Sequence, residues 1–164
     1  MRITAEEFLA LAEQHPDKRF DFIDGELVEV SPKPWRGRKQ AVLAALLENY
    51  TQQHPVGVVY TEVLHVLNDE KFIPDVCINE ASSADYLTTP PLLAVEISQS
   101  RESQRRKAQA YIRHGARLVI LVMPGEQIEV YQPGAEVRVL VAGDTLTVDD
   151  VLPGFQLPLD RLLP

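Results

Sequence analysis

Apolar residues recur at helical spacing in three stretches of the chain. The first is Phe8, Leu9, Leu11 and Ala12, introduced by Thr4 and Glu7, the two ends of a Thr-x-x-Glu capping box. His15-Pro16-Asp17 breaks it. The second is Val42, Leu43, Leu46, Leu47 and Tyr50, one stripe on a helix predicted from about Gly37 to His54 and closed by Pro55-Val56-Gly57. The third helix is predicted over Arg101 to His114, with Gly115 as its stop. Between them the apolar period shortens to that of strands. Phe20 to Ile23 and Glu26 to Val30 flank Asp24-Gly25, a hairpin signal. Ser31-Pro32-Lys33-Pro34 reads as a loop.

Val58 to Leu67 is expected as one strand, Asn68 to Lys71 as a turn, and Phe72 to Ile78 as the returning strand. Ser82 to Pro91 reads as a polar loop with a short helical piece, and Leu92 to Ser98 as a short buried strand. Leu118 to Met123 is almost wholly apolar, as a central strand buried on both faces would be. Pro124-Gly125 leads into a last hairpin, about Gln127–Tyr131 and Val137–Val141, and Leu152 to Leu157 supplies an apolar anchor. The order of elements predicts a mixed α+β (α/β) fold. One central mixed sheet lies between helices, with N- and C-terminal hairpins. With no repeat and no linker, residues 1–164 are expected to form a single domain.

Composition narrows the classes. A hydrophobic content of 45% excludes a disordered chain. No apolar run approaches the ~18 residues of a membrane helix, so no membrane partner is expected. The acidic opening segment lacks the basic start and cleavage site of a secretory signal. The lone Cys77 makes no internal disulfide, so a cytoplasmic location is expected. The net charge of −8 argues against coating nucleic acid by bulk charge. The charge is uneven, however: ten of the 16 basic residues fall in two clusters. These are Lys33, Arg36, Arg38 and Lys39, and then Arg101, Arg105, Arg106, Lys107, Arg113 and Arg117. Each alone reads as a solvated helix start; together they could form one anion-binding face.

Two acids stand out. Glu96 sits within Leu92-Leu93-Ala94-Val95-Glu96-Ile97, and Asp75 follows Ile73-Pro74 and precedes Val76-Cys77-Ile78. A carboxylate in such a run needs neutralising by a basic side chain, backbone donors or a metal. About 20 residues separate the two, which suits neighbouring strands. Two converging carboxylates suit Mg²⁺, which takes one or two protein carboxylates and completes its shell with water and phosphate. Lys107, on the helix that follows the Glu96 strand, is the natural third group, with Tyr111 one turn on packing against its stem.

Pro74-Asp75, then Val95-Glu96-Ile97-Ser98, then Lys107-x-x-x-Tyr111-x-x-x-Gly115 resemble the Uma-type restriction endonuclease family of the PD-(D/E)XK nuclease superfamily. Phe22-Ile23-Asp24-Gly25-Glu26-Leu27-Val28, Ser31-Pro32 and Leu152-Pro153-Gly154-Phe155 extend the resemblance over nearly the whole chain. The resemblance implies a restriction-endonuclease-like core with Asp75 and Glu96 as metal ligands. It also implies Lys107 as a catalytic lysine moved from the strand to the following helix; the usual position is Ser98 here. Glu26 resembles the family's early acid, a further ligand or the holder of a metal-bound water. The pattern departs at Lys39-Gln40 in place of His-Gln, at Ser103 in place of an acid, and along Arg117 to Pro124.

The four histidines stand apart without zinc spacing, Trp35 reads as a loop lid or a base-stacking group, and Cys77 reads as core. The leading expectation is a DNA endonuclease using Mg²⁺ or Mn²⁺. In it Asp75, Glu96 and Glu26 hold metal and Lys107 steadies the charged phosphorane. Lys33, Arg36, Arg38, Lys39, Arg101, Arg105 and Arg106 contact DNA phosphates. A homodimer or higher homo-oligomer would serve cleavage of both strands. The alternatives are an inactive nuclease-fold binding or assembly module, and a hydrolase of small nucleotide phosphoesters.

Overall fold

The computed structural model describes residues 3–16, 18–23, 26–30, 33–98, 100–123 and 127–163. The expected breaker residue Asp17 and the turn pairs Asp24-Gly25, Ser31-Pro32 and Pro124-Gly125 lie outside the described residues.

In chain order the elements are α1 (Ala5–Gln14), β1 (Arg19–Ile23), β2 (Glu26–Val30), α2 (Pro34–Gln53), β3 (Val58–Tyr60), β4 (His65–Leu67), β5 (Glu70–Phe72), β6 (Val76–Asn79), β7 (Leu93–Ile97), α3 (Arg101–Arg113), β8 (Leu118–Met123), β9 (Gln127–Tyr131), β10 (Arg138–Val141), β11 (Thr145–Val148) and β12 (Leu152–Pro158). Thr4 caps α1 with both arms of the capping box formed. Helix α2 starts about a turn before the expected Gly37, because Pro34 stands in its first turn, where its missing N–H costs nothing.

The main sheet has six strands in the order β10-β9-β8-β7-β6-β3. Its one parallel pair, β7 with β8, needs a crossover, and α3 supplies it. Alternation gives the sheet two faces. Val76, Ile78, Leu93, Val95, Ile97 and Ile120 pack with Leu43 and Leu47 of α2 and with the β11–β12 hairpin. Ala94, Val119, Leu121 and Met123 pack with Ala108 and Tyr111 of α3 and with Phe72.

Phe72 belongs to a second sheet, which corrects the expectation of one. It has four strands in the order β2-β1-β5-β4. One face of β1 places Phe20 and Phe22 against Phe8 of α1 and Leu64. The other face, Arg19, Asp21 and Ile23, turns toward the main sheet's α3 side.

The second sheet exists because both strands expected over 58–67 and 72–78 break. Glu62 takes a left-handed φ of 59° and donates its N–H to the Pro74 carbonyl at 3.1 Å. Pro74 has no N–H to give a ladder. The two chains therefore leave one sheet together and join the other: β3 pairs with β6, and β4 with β5. The helical piece expected within Ser82–Pro91 is likewise absent among the described residues. Leu87 instead bridges to His65, with Val66 N–H on the Leu87 carbonyl at 2.8 Å. The N-terminal hairpin β1–β2 and the β9–β10 hairpin form as expected. Among the described residues, no helix is long and apolar enough to cross a membrane.

Leu43 is 1% exposed and couples α2 to the main sheet. Leu43→Ala is expected to cost about 2–5 kcal/mol in urea unfolding. Exposed Glu48→Ala on the same helix should stay within about 0.5 kcal/mol of the parent.

Candidate active site

The β6–β7 pair is antiparallel with Val76 opposite Val95. One step further along that register sets Asp75 opposite Glu96, on the face shared with Ala94. Pro74 ends the ladder there, and Asp75 holds its strand by donating its N–H to the Val95 carbonyl at 3.0 Å. Its side chain turns over the end of β7. Oδ2 accepts the Ile97 N–H at 2.7 Å, and Oδ1 pairs with Arg36 Nη2 from the first turns of α2. Gln40, one turn on, donates Nε2 to the Asp75 carbonyl at 2.9 Å and so fixes the backbone at this point.

Lys107 comes from α3, 1% exposed. Its Nζ stands 2.8 Å from Glu96 Oε1 and donates to Asp21 Oδ2 at 2.9 Å. The lysine thus bridges the two sheets. Tyr111, one turn along α3, donates its hydroxyl to Glu96 Oε1 at 2.9 Å and rests its ring on Phe72, 4.6 Å between centroids. Tyr111 contributes a hydrogen bond as well as apolar bulk.

Three acids therefore meet two buried cations. Burial pushes the Glu96 carboxyl up to about 8; Lys107 opposes this, while Asp75 and Asp21 reinforce it. Burial also raises Asp75, against Arg36, the Ile97 N–H, Lys107 and Arg19. Burial alone would lower Lys107, but Asp21 and Glu96 outweigh it and the ammonium stays charged. Tyr111 is held well above its ordinary value by burial and by Glu96, so its hydroxyl remains a donor. Arg19 adds a third cation 3.7 Å from Asp75 Oδ1, so it is burial that favours a proton on Glu96.

A cavity of about 290 Å³ opens beside this cluster. Its wall includes Asp21, Lys33, Arg36, Ile97, Ser98, Gln104 and Lys107. Asp75 and Glu96 do not line it. They are 0% and 2% exposed and lie behind Arg36 and Lys107.

Paired carboxylates on adjacent strands are a donor set that fits a hard divalent cation, and here Arg36 and Lys107 stand where its charge would be. Among the described residues, no three His, Cys, Asp or Glu side chains gather into a complete cation site. The remaining ligands of such an ion would be water and substrate oxygens, the usual Mg²⁺ arrangement.

A family model described as "Uma2: Putative restriction endonuclease" matches residues 5–160. The chain belongs to the Uma2 family. Among solved structures, this Uma2 chain is similar to a crystal structure described as a putative nuclease belonging to DUF820 from Anabaena variabilis ATCC 29413. That similarity has a TM-score of 0.85 at 20% identity, over 98% of this chain and 97% of that one. At that identity the likeness establishes a shared mixed α+β fold. No curated protein matches the chain in sequence.

The structure brings together some of the expected residues of this Uma2 chain and separates others. Asp75, Glu96, Lys107 and Arg36 converge, and Lys33 joins Arg36 at the cavity. Glu26 does not join them: it is exposed, and outside the cavity lining. The second acid beside Lys107, after Glu96, is Asp21. The signal for it was present in Phe20-Asp21-Phe22, where alternation turns the acid away from the phenylalanine face. What alternation left open was whether that second face met water or another sheet. Gln104, at the cavity, was also missed.

Arg38 and Lys39 line a second cavity, about 210 Å³, with Trp35 and Arg161. Arg101 and Arg106 are exposed on α3 and do not line the first cavity. Arg105 is engaged by buried Glu129, with Nε 3.1 Å from each carboxylate oxygen. Cys77 is core, and Trp35 packs half-buried on the main core.

Glu96 holds its proton more tightly in the folded chain than in the unfolded one. Between the ordinary glutamate value of about 4.3 and about 8, the folded state binds more protons, so this contribution to stability is lost as pH rises. Glu96→Gln should flatten that dependence, whatever its own stability relative to the parent. Thermal unfolding followed across pH checks this; a parent melting temperature that rises from pH 6 to 9 contradicts it.

Proposed function

We propose that this Uma2 chain is a metal-dependent DNA endonuclease of the PD-(D/E)XK type. The observation that carries the reading is the in-register Asp75–Glu96 pair, with Lys107 bonded to Glu96 and lining a cavity that Lys33 and Arg36 also line. Asp75 and Glu96 would hold Mg²⁺ or Mn²⁺. When bound, the ion supplies Lewis-acid stabilisation of the phosphodiester and lowers the pKa of a bound water.

The chain's own groups account for the remaining work. Lys107 is kept charged by Asp21 and Glu96, so it can face the extra negative charge of a pentavalent phosphorane without first acquiring a proton. Tyr111 holds Glu96 in one orientation. Asp21, bonded to Lys107, is the early-strand acid at this site, where Glu26 was expected as a metal ligand or the holder of a metal-bound water. Lys33 and Arg36 at the cavity, and Arg38, Lys39, Arg101 and Arg106 elsewhere on α2 and α3, would contact the DNA backbone and make binding salt-sensitive. Cleavage of both strands calls for two copies related by a two-fold axis, and a cytoplasmic location fits the lone thiol.

A second reading is an inactive binding or assembly module. It is favoured by the cover of Arg36 and Lys107 over both acids, which already neutralises them without a metal.

Incubation of plasmid DNA with Mn²⁺ or Mg²⁺ separates the two. The nuclease reading expects nicking that falls by about 100-fold or more in Lys107→Met and Glu96→Gln. Each variant is first shown to be folded, since stripping one partner from a buried pair costs about 3–5 kcal/mol. Calorimetric Mn²⁺ titration should show uptake that Asp75→Asn abolishes. No uptake and no nicking of duplex or single strand would establish the inactive module, and hydrolysis of a free nucleotide alone would establish a small-molecule phosphoesterase.

A further inference from the structure

The cations that neutralise Asp75 and Glu96 are held very differently. Lys107 Nζ is 2.8 Å from Glu96 Oε1 and 2.9 Å from Asp21 Oδ2, so it keeps a carboxylate outside the Asp75–Glu96 pair. Arg19 stands 3.7 Å from Asp75 Oδ1 and has Glu62 at 2.6 Å. Arg36 has a different position: its side chain is 9% exposed and bonds Asp75 Oδ1 through Nη2. Among the described residues' buried side-chain atoms, those without a hydrogen-bond partner are Arg36 Nε, Arg36 Nη1 and Gln104 Oε1. Buried polar atoms are nearly always bonded, and an orphan is costly. The place over Asp75 thus neutralises the acid but leaves the guanidinium itself poorly satisfied. Arg36 also lines the cavity of about 290 Å³, whereas Asp75 does not. That volume is several times the ~30 Å³ share of one water.

We propose that Arg36 is the exchangeable counter-ion of this site: its guanidinium holds Asp75 in the metal-free chain and turns into the cavity when a divalent cation takes that carboxylate, while Lys107 stays in place. The inference rests on the metal-site part of the nuclease reading, and adds which residue must move before the acids become ligands. Oδ2 of Asp75 already accepts the Ile97 N–H at 2.7 Å, so Oδ1, the oxygen that Arg36 holds, is the one an ion contests. A guanidinium and a divalent ion on one oxygen repel each other strongly in a buried setting. Lys107 has no need to leave, because Asp21 keeps it when Glu96 is engaged elsewhere. Arg36 has the reverse balance. In the cavity its Nε and Nη1 gain water, with Glu29 and Gln104 on the wall as further acceptors. Relief of the two orphans offsets part of the cost of parting the Arg36–Asp75 pair, so ion binding and release of the guanidinium are one linked step.

The experiment pairs calorimetric Mn²⁺ titration with NMR of the Arg36 Nε–H in Mg²⁺, which is diamagnetic. Without metal the Nε–H is sealed from water and should exchange slowly with it; at saturating Mg²⁺ it should shift and exchange about tenfold faster or more. Arg36→Gln should bind Mn²⁺ about tenfold more tightly than the parent or better, because no counter-ion has to leave Asp75. Lys33→Gln removes a charge from the same cavity without vacating Asp75, and should tighten binding by less than about threefold. An Nε–H as protected in saturating Mg²⁺ as without it overturns the inference. So does an Arg36→Gln protein whose Mn²⁺ affinity rises no more than that of Lys33→Gln. Should Arg36→Gln fail to fold, the Nε–H of the parent decides alone. Uptake by Arg36→Gln but not by the parent makes Arg36 a fixed counter-ion and overturns the exchange and the endonuclease together, as does no uptake by either. Mn²⁺-supported nicking of plasmid DNA keeps the two readings apart. Parent protein whose Arg36 yields to Mg²⁺ but which never nicks sinks the endonuclease and leaves the exchange standing. Parent protein that nicks with its Nε–H unmoved sinks the exchange alone.

Discussion

The molecule is organised around one electrostatic problem: three carboxylates buried at the seam between two sheets, with Lys107 and Arg36 as their nearest cations. Asp75 and Glu96 face each other across the end of the β6–β7 pair, and Asp21 enters from the second sheet. Burying such charges costs several kcal/mol per ion, and their mutual attraction repays it only when the geometry is tight. Here that geometry draws on both sheets and on α2 and α3. Lys107 spans Glu96 and Asp21, Arg36 reaches over the end of β7, and the Ile97 N–H closes on Asp75. An apolar core of the same volume would be at least as stable, so the cluster reads as a functional arrangement that the surrounding layers hold in place.

Those layers are strongly apolar. Leu118 to Met123 is buried along its whole length, and the two faces of the main sheet are covered by α2 with the β11–β12 hairpin on one side and α3 with the second sheet on the other. The site sits where that covering is interrupted. Pro74 ends the ladder of β6 and sends the chain between sheets, and α3 begins beyond Ser98. Strand ends next to a helix start leave backbone groups and short polar side chains facing a cavity, and Ser98, Ser100 and Ser103 line this one.

The basic clusters show how charge counted along a chain differs from charge placed in space. Lys33, Arg36, Arg38 and Lys39 are near neighbours in sequence, yet a helix turns successive residues by about 100°. Arg36 therefore serves the first cavity, while Arg38 and Lys39 stand beside Trp35 at the second, with Lys39 Nζ 5.5 Å from the indole ring centroid. On α3, Lys107 points inward, Arg105 is drawn to Glu129, and Arg101 and Arg106 remain on the exposed side.

Local physics settled much of this protein before any folding is considered. The capping box at Thr4, the stripe of α2, the apolar run of β8 and the anomaly of acids at 75 and 96 each follow from neighbours within a few residues, and the order of motifs identified the family. Sequence alone did not resolve the break at Glu62 and Pro74, because the hydrogen bond between them joins two separate segments and exists only once these pack side by side. Nor did it place Asp21 at the site instead of Glu26, since period-two alternation states which residues share a face and says nothing of what that face meets. The orphaned donors of Arg36 belong to the same class. A side chain's bonding is complete or incomplete only once every layer has packed around it, and that is a property of the assembled fold.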